Sequence, residues 1–76
     1  MKELLEFLAR SLVDHPEQVR VEQIDTADGV LLRLTVAKED VGKVIGKQGR
    51  IARAIRTVVK ASAVRDGRQA TVEIAD

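Results

Sequence analysis

The residues with the clearest chemical potential form one short run, Val44-Ile45-Gly46-Lys47-Gln48-Gly49-Arg50. Two glycines enclose a two-residue tip, so the backbone there can turn tightly and stay bare. A bare backbone lets another molecule approach closely. A helix starting near Arg50 would turn its unpaired first N–H groups and the positive end of its dipole toward that molecule. With Lys47, Arg50 and Lys43 nearby, the combination suits a phosphate group. Val44 and Ile45 before the loop offer an apolar floor for bases attached to such phosphates. Phosphate grip and base floor together describe a nucleic-acid groove.

Other chemistries lack their parts. The stretch from Gly42 to Gln48 is superficially similar to a nucleotide-binding P-loop, but only three residues separate its glycines and Gln48 stands where Ser or Thr must hold magnesium. Gly42 and Gly46 also have GxxxG spacing, which has its membrane meaning only inside a long apolar segment. His15 is the only histidine. Asp14 and Glu17 beside it make too few convergent ligands for a metal, and its place before Pro16 reads as a helix end. Ser11 and Ser62 have no base in view. With no cysteine there is no disulfide, no thiolate and no zinc-finger spacing, which fits a reducing cytoplasm. No catalytic residue, metal site or cofactor is expected.

Charge supports the loop. The formal net charge is only +1, yet residues 41–65 contain no acid and carry Lys43, Lys47, Arg50, Arg53, Arg56, Lys60 and Arg65. The rest of the chain is net acidic. A segregated basic sector concentrates positive potential where a polyanion can dock, although a solvated helix face would carry the same charges. Phe7 is the only aromatic and lies far from the loop in sequence. Recognition resting on stacked rings is therefore disfavoured, and a groove holding bases by aliphatic contacts fits better.

These residues need elements to hold them. Residues 2 to about 14 place Leu4, Leu5, Leu8, Ala9 and Leu12 at helical spacing, and His15-Pro16 ends that helix. Val19-Arg20-Val21-Glu22 and the run Val30 to Val36 alternate as strands, joined by Thr26-Ala27-Asp28-Gly29 as a hairpin turn. Ile24 is out of phase with Val19 and Val21, which predicts a bulge near Gln23. Glu39-Asp40 supplies an N-cap for a short helix from Val41 to about Ile45. After the glycines a longer helix gathers Ile51, Ala54, Ile55, Val58, Val59 and Ser62 on a core arc and Arg50, Arg53, Arg56 and Lys60 opposite. Asp66-Gly67 closes it, and Ala70, Val72 and Ile74 alternate in a last strand. The expected fold is α+β in the order α-β-β-α-α-β, one domain over residues 1–76, with a three-stranded sheet and helices packed on one face. No uninterrupted apolar run approaches the roughly 18 residues that span a bilayer, and the chain reads as soluble and unprocessed.

Loop and element order together resemble the KH family, whose signature is a helix, a GxxG loop and a second helix. Val44-Ile45-Gly46-Lys47-Gln48-Gly49 matches its hydrophobic-Ile-Gly-x-x-Gly pattern, and the order resembles the type II, prokaryotic form over essentially the whole chain. More narrowly, the run Asp40 to Arg50 is similar to the KhpA family. That resemblance implies a groove for about four nucleotides between the GxxG loop and the sheet's edge strand. It implies Gly46, Lys47, Gln48 and Gly49 as the backbone clamp, with Val44, Ile45 and Ile51 lining the groove. Arg50, Lys43 and Arg53 are charge candidates by position. It further implies a cytoplasmic single-stranded RNA-binding protein, an RNA chaperone that self-associates or pairs with a KhpB (Jag)-type protein, linked to cell-wall homeostasis and cell-length control. No residue visibly selects for a 2′-hydroxyl, so single-stranded DNA stays open as a ligand. The competing reading is a protein-interaction adaptor on the same scaffold.

A chain this short buries only about 60% of its unfolded surface, and one weak groove gains from a second through effective concentration. Pairing is therefore expected. Val58, Val59 and Ala63, with Ala52 extending the arc, are the candidate apolar surface for it.

Overall fold

In the computed structural model, residues 1–75 are described. The elements run α1 (Lys2–Leu12), β1 (Arg20–Thr26), β2 (Gly29–Thr35), α2 (Val41–Ile45), α3 (Arg50–Arg65) and β3 (Ala70–Ile74). That is the expected order, and the fold is a type II KH fold. Single 3-10 turns at Pro16–Gln18, Lys38–Asp40 and Lys47–Gly49 join the larger elements.

The sheet has the order β1-β2-β3, with β1 antiparallel and β3 parallel to the central strand. The parallel pair demands a crossover, and α2, the glycine loop and α3 supply it. Leu32 and Leu34 of β2, Val72 of β3 and Val21 of β1 point into the core. There they meet Leu5 and Ala9 of α1, Val44 of α2, and Ile55, Val59 and Ala63 of α3. Burying a side chain of Val or Leu size contributes about 1.5–3 kcal/mol. This one cluster therefore holds all six elements together.

The hairpin differs from expectation. β1 pairs with β2 in unbroken register from Arg20↔Thr35 to Thr26↔Gly29, with no bulge at Gln23. Ile24 instead belongs to the other face of the sheet, directly opposite Leu31, where the two half-buried side chains cover each other. On that uncovered face Arg33 reaches Glu22 at 3.3 Å and Glu73 at 3.2 Å, an ion pair spanning all three strands.

α1 stops at Leu12, two residues before the predicted end, and Val13 is already extended. α3 ends as predicted at Asp66-Gly67. The Arg68 N–H bonds the Ala63 carbonyl at 2.8 Å and the Gly67 N–H bonds that of Val64 at 3.0 Å, the paired bonds of a Schellman motif.

Candidate nucleic-acid interface

The loop departs from ordinary backbone at three successive turning points. Gly46 lies at φ 76°, ψ 172°, a region essentially closed to other residues. A Cβ built on it would stand 2.6 Å from Cγ1 of Ile51. Gln48 follows at φ 58°, ψ 24° and Gly49 at φ 74°, ψ 16°, both left-handed. The Gly49 N–H closes the turn on the Gly46 carbonyl at 3.1 Å. Lys47 and Gln48 project into solvent at its tip.

Gly49 is also the N-cap of α3 and, having no side chain, leaves the helix's first N–H groups uncapped. The 16-residue helix thus aims its positive end beside the turn.

α3 carries two unlike flanks beside its core stripe, with Thr57, Ala61 and Val64 turned outward to solvent. Ala52, Ile55, Val59 and Ala63 form the buried stripe. With Ala52 and Ala63 buried and Val58 open, the stripe is rotated from the predicted arc of larger apolar residues. One flank, Ile51, Ala54 and Val58, turns toward α1. The other, Arg56 and Lys60, runs beside β3, where the Arg56 Nε donates to the Val72 carbonyl at 3.4 Å, while Arg53 shares a shallow outer groove with Arg50, Ala54, Thr57 and Val58.

Val59 and Ala63, expected on a pairing surface, are therefore wholly buried, and Ala52 nearly so. Of that set only Val58 is open, at 44% exposure. It lies in a largely apolar groove between α1 and α3, lined by Phe7, Leu8, Leu12, Ile51 and Ala54 among others, with Arg50 at its rim. Phe7, 67% exposed, thus comes within one groove of the loop's own Arg50 and Ile51. Sequence separation concealed this, because only the packing of α1 beside α3 brings them together.

Two further candidates change character. Val44, read as groove lining, is fully buried in the core, while Ile45 and Ile51 are half-exposed. Lys43 is exposed but not free. Its ammonium lies 3.1 Å from Asp14 and 3.7 Å from Asp40, and the hydrogen bond and charge of Asp14, above all, raise its pKa over the usual 10.5. Lys47, Arg50, Arg53, Arg56, Lys60 and Arg65 have no ion pair among the described residues. Elsewhere three cations are paired, Arg10 with Glu6, Arg33 with Glu22 and Glu73, and Arg68 with Asp25.

Asp40 occupies the N-cap position of α2 as predicted, yet its side chain does not cap the helix. It enters from a 3-10 turn with helical φ and ψ, where caps normally have extended backbone. Its carboxylate is directed instead at the α1–β1 connection.

No group of residues suited to hold a metal is found, and no helix is long and apolar enough to cross a membrane, among the described residues.

A GxxG turn between two helices, above a sheet with one parallel pair, defines a KH domain. Residues 2–74 match the KH domain model of the KhpA and KhpB proteins, and the chain belongs to that family. It is 57% identical over 74 residues to the RNA-binding protein KhpA of Clostridium perfringens, covering 97% of this chain and 99% of that one. With the KhpA of Halalkalibacterium halodurans it shares 47% identity over the full length of both. Among solved structures it resembles part of Aquifex aeolicus Era bound to GDP and aluminium fluoride, with a TM-score of 0.64 and 18% identity. That match covers 96% of this chain but 28% of Era, and it speaks for the fold alone.

Proposed function

We propose that this chain is a non-catalytic protein that binds single-stranded RNA, held by the Gly46–Gly49 turn and the basic flank of α3. The observation that carries the reading is the unpaired charge. Six of the seven cations of the acid-free sector have no carboxylate partner among the described residues, whereas half of the cations outside it, Arg10, Arg33 and Arg68, are paired. Leaving them uncompensated costs self-repulsion that a bound polyanion relieves. They gather around a turn whose bare backbone and uncapped helix end can meet phosphate oxygens through N–H groups. The relatives' name, RNA-binding protein KhpA, agrees with this reading.

Clamp and groove have separate tasks. Gly46 and Gly49 let the sugar-phosphate backbone come close, Lys47 supplies charge at the tip, and Gln48 a neutral amide. Bases then lie toward Ile45 and Ile51, with Arg53 and Arg50 compensating neighbouring phosphates. A cytoplasmic RNA chaperone or post-transcriptional regulator, tied to cell-wall homeostasis and cell-length control, is the role this reading inherits from the family.

The α1–α3 groove favours a protein partner on the opposite flank of α3, either a second copy or a KhpB-type protein, centred on Val58. This accommodates the adaptor reading as well, because the partner's surface centres on Val58 and meets the RNA's only at Arg50 and Ile51, at the start of α3.

The test replaces Lys47 and Gln48 together by aspartate. The tip touches no core, and surface changes usually cost under about 0.5 kcal/mol each. Beside the phosphates one positive and one neutral side chain become two negative ones. Fluorescence polarisation with a labelled oligoribonucleotide should show binding abolished while the circular dichroism melt hardly moves. A variant that melts normally and binds as tightly as the wild type would place the site elsewhere.

A further inference from the structure

α2 has five residues, too few to keep an orientation of its own, yet its last residue leads directly into the glycine turn. A carboxylate pins it. Asp40, immediately before α2, has 0% exposure and is the one charged side chain in the core among the described residues. Its Oδ2 accepts a hydrogen bond of 2.9 Å from the backbone N–H of His15, 25 residues earlier in the α1–β1 connection. Its Oδ1 is sealed from solvent without a hydrogen-bond partner, the Lys43 ammonium standing off at 3.7 Å.

A buried carboxylate with one oxygen lacking a hydrogen bond and only a distant ammonium to balance it is an expensive way to stabilise a fold, and an apolar residue of similar volume often serves as well or better. Stability alone therefore does not account for it. Directionality does. A hydrophobic contact at this point would tolerate rotation of α2, whereas a carboxylate holding one amide allows a single orientation. Val44, one turn further along, plugs the same helix into the core from the other end. Between them the direction in which Ile45 delivers Gly46 is fixed.

We propose that Asp40 is a positioning residue for RNA binding: by holding the His15 amide, its carboxylate sets the direction in which α2 presents the Gly46–Gly49 turn to the nucleic acid. This rests on the assignment of that turn as the RNA site.

Asp40→Asn keeps a side-chain oxygen for the His15 amide, and Asp40→Ala removes it. With fluorescein-labelled oligouridylate, the Asn variant should bind within about threefold of wild type and the Ala variant about tenfold or more weaker, at a temperature where both are folded by circular dichroism. A misplaced turn also loses phosphate contacts, so the salt dependence of the Ala variant should flatten, which a mere loss of stability would not cause. Amide resonances of Gly46 and Gly49 should shift in Asp40→Ala and stay in Asp40→Asn. Should the Ala variant fail to fold, hydrogen exchange of the wild type decides. Saturating oligouridylate should slow exchange of the His15 amide, which lies outside the RNA surface, because clamping the turn suppresses opening of its tether. A folded Asp40→Ala variant with wild-type affinity and slope, or a His15 amide indifferent to bound RNA, overturns the proposal. Wild-type protein that binds no oligoribonucleotide refutes the function itself, and the loop resonances of Asp40→Ala then still judge the tether.

Discussion

Gly46 and Gly49 bracket the same turn, yet replacing them by alanine should have unequal consequences. At Gly46 the backbone sits at φ 76°, ψ 172°, and holding a side chain there costs about 1–3 kcal/mol. The new methyl group would also stand 2.6 Å from Cγ1 and 2.9 Å from Cβ and Cδ1 of Ile51. A change of Ile51 rotamer leaves its Cβ in place at 2.9 Å, and overpacking of this kind adds about 1–3 kcal/mol. At Gly49 a Cβ meets nothing within 4 Å. Only the left-handed conformation is charged there, at about 1–2 kcal/mol. A domain of this size loses roughly 4–8 °C of melting temperature per kcal/mol. Gly46→Ala should therefore melt well below Gly49→Ala, unless its turn relaxes out of the native shape, in which case RNA affinity falls instead. The assay is circular dichroism melting of both variants, since the chain has no tryptophan or tyrosine to report unfolding, together with polarisation of labelled oligoribonucleotide. A Gly46→Ala variant that melts with or above Gly49→Ala and binds RNA normally would show that neither the dihedral nor the Ile51 contact constrains the loop.

Arg53→Ala should weaken RNA binding equally for all sequences and lower the slope of log K against log salt by about 0.7, the signature of one lost single-strand phosphate contact; an unchanged slope would remove Arg53 from the interface. Lys43→Met should destabilise the fold below pH 10.5, because the raised pKa means the ion pair with Asp14 contributes fully there and is lost as pH climbs through the elevated value. The gap between the two melting curves should close in strongly alkaline buffer, where no tyrosine or cysteine titrates to confuse it; a gap independent of pH would mean the stem of Lys43, and not its charge, matters. Val58→Asp should leave the melt of the monomer nearly unchanged and separate any paired subunits by light scattering, and a wild type that is already monomeric at tens of micromolar would rule out self-pairing.

The element order was legible because apolar residues switch cleanly between a period of two and a period near four, and the turn because two glycines stand so close together. What stayed hidden lies in long-range packing. Ile24 looks like a register fault until its partner Leu31 is seen on the same open face. Ala52 and Ala63 read with Val58 as one apolar surface, yet the two alanines are buried and Val58 is open, because hydrophobicity alone does not say which side of an apolar arc meets the sheet. Asp14 and Lys43 are 29 positions apart, and no local pattern announces that one occupies the other. Asp40 reads as a cap from its neighbours because the amide it serves belongs to His15.

The division of α3 into a core stripe and two unlike flanks bears on how the protein can change in length. Each residue added to or removed from a helix turns everything beyond it by about 100°. A single deletion near Ala54 would swing Arg56 and Lys60 toward the position of Ile55 and Val59, burying charge. A single insertion would carry Val59 and Ala63 out to the edge of β3 and draw Val58 inward. Neither error is easily absorbed, because the buried stripe and both of its flanks face other elements and only the outward arc of Thr57, Ala61 and Val64 is free to turn. Gains and losses of residues should thus be tolerated in the turn at Ala27-Asp28 or beyond Gly67, and the stretch from Gly46 to Arg65 should behave as a fixed ruler.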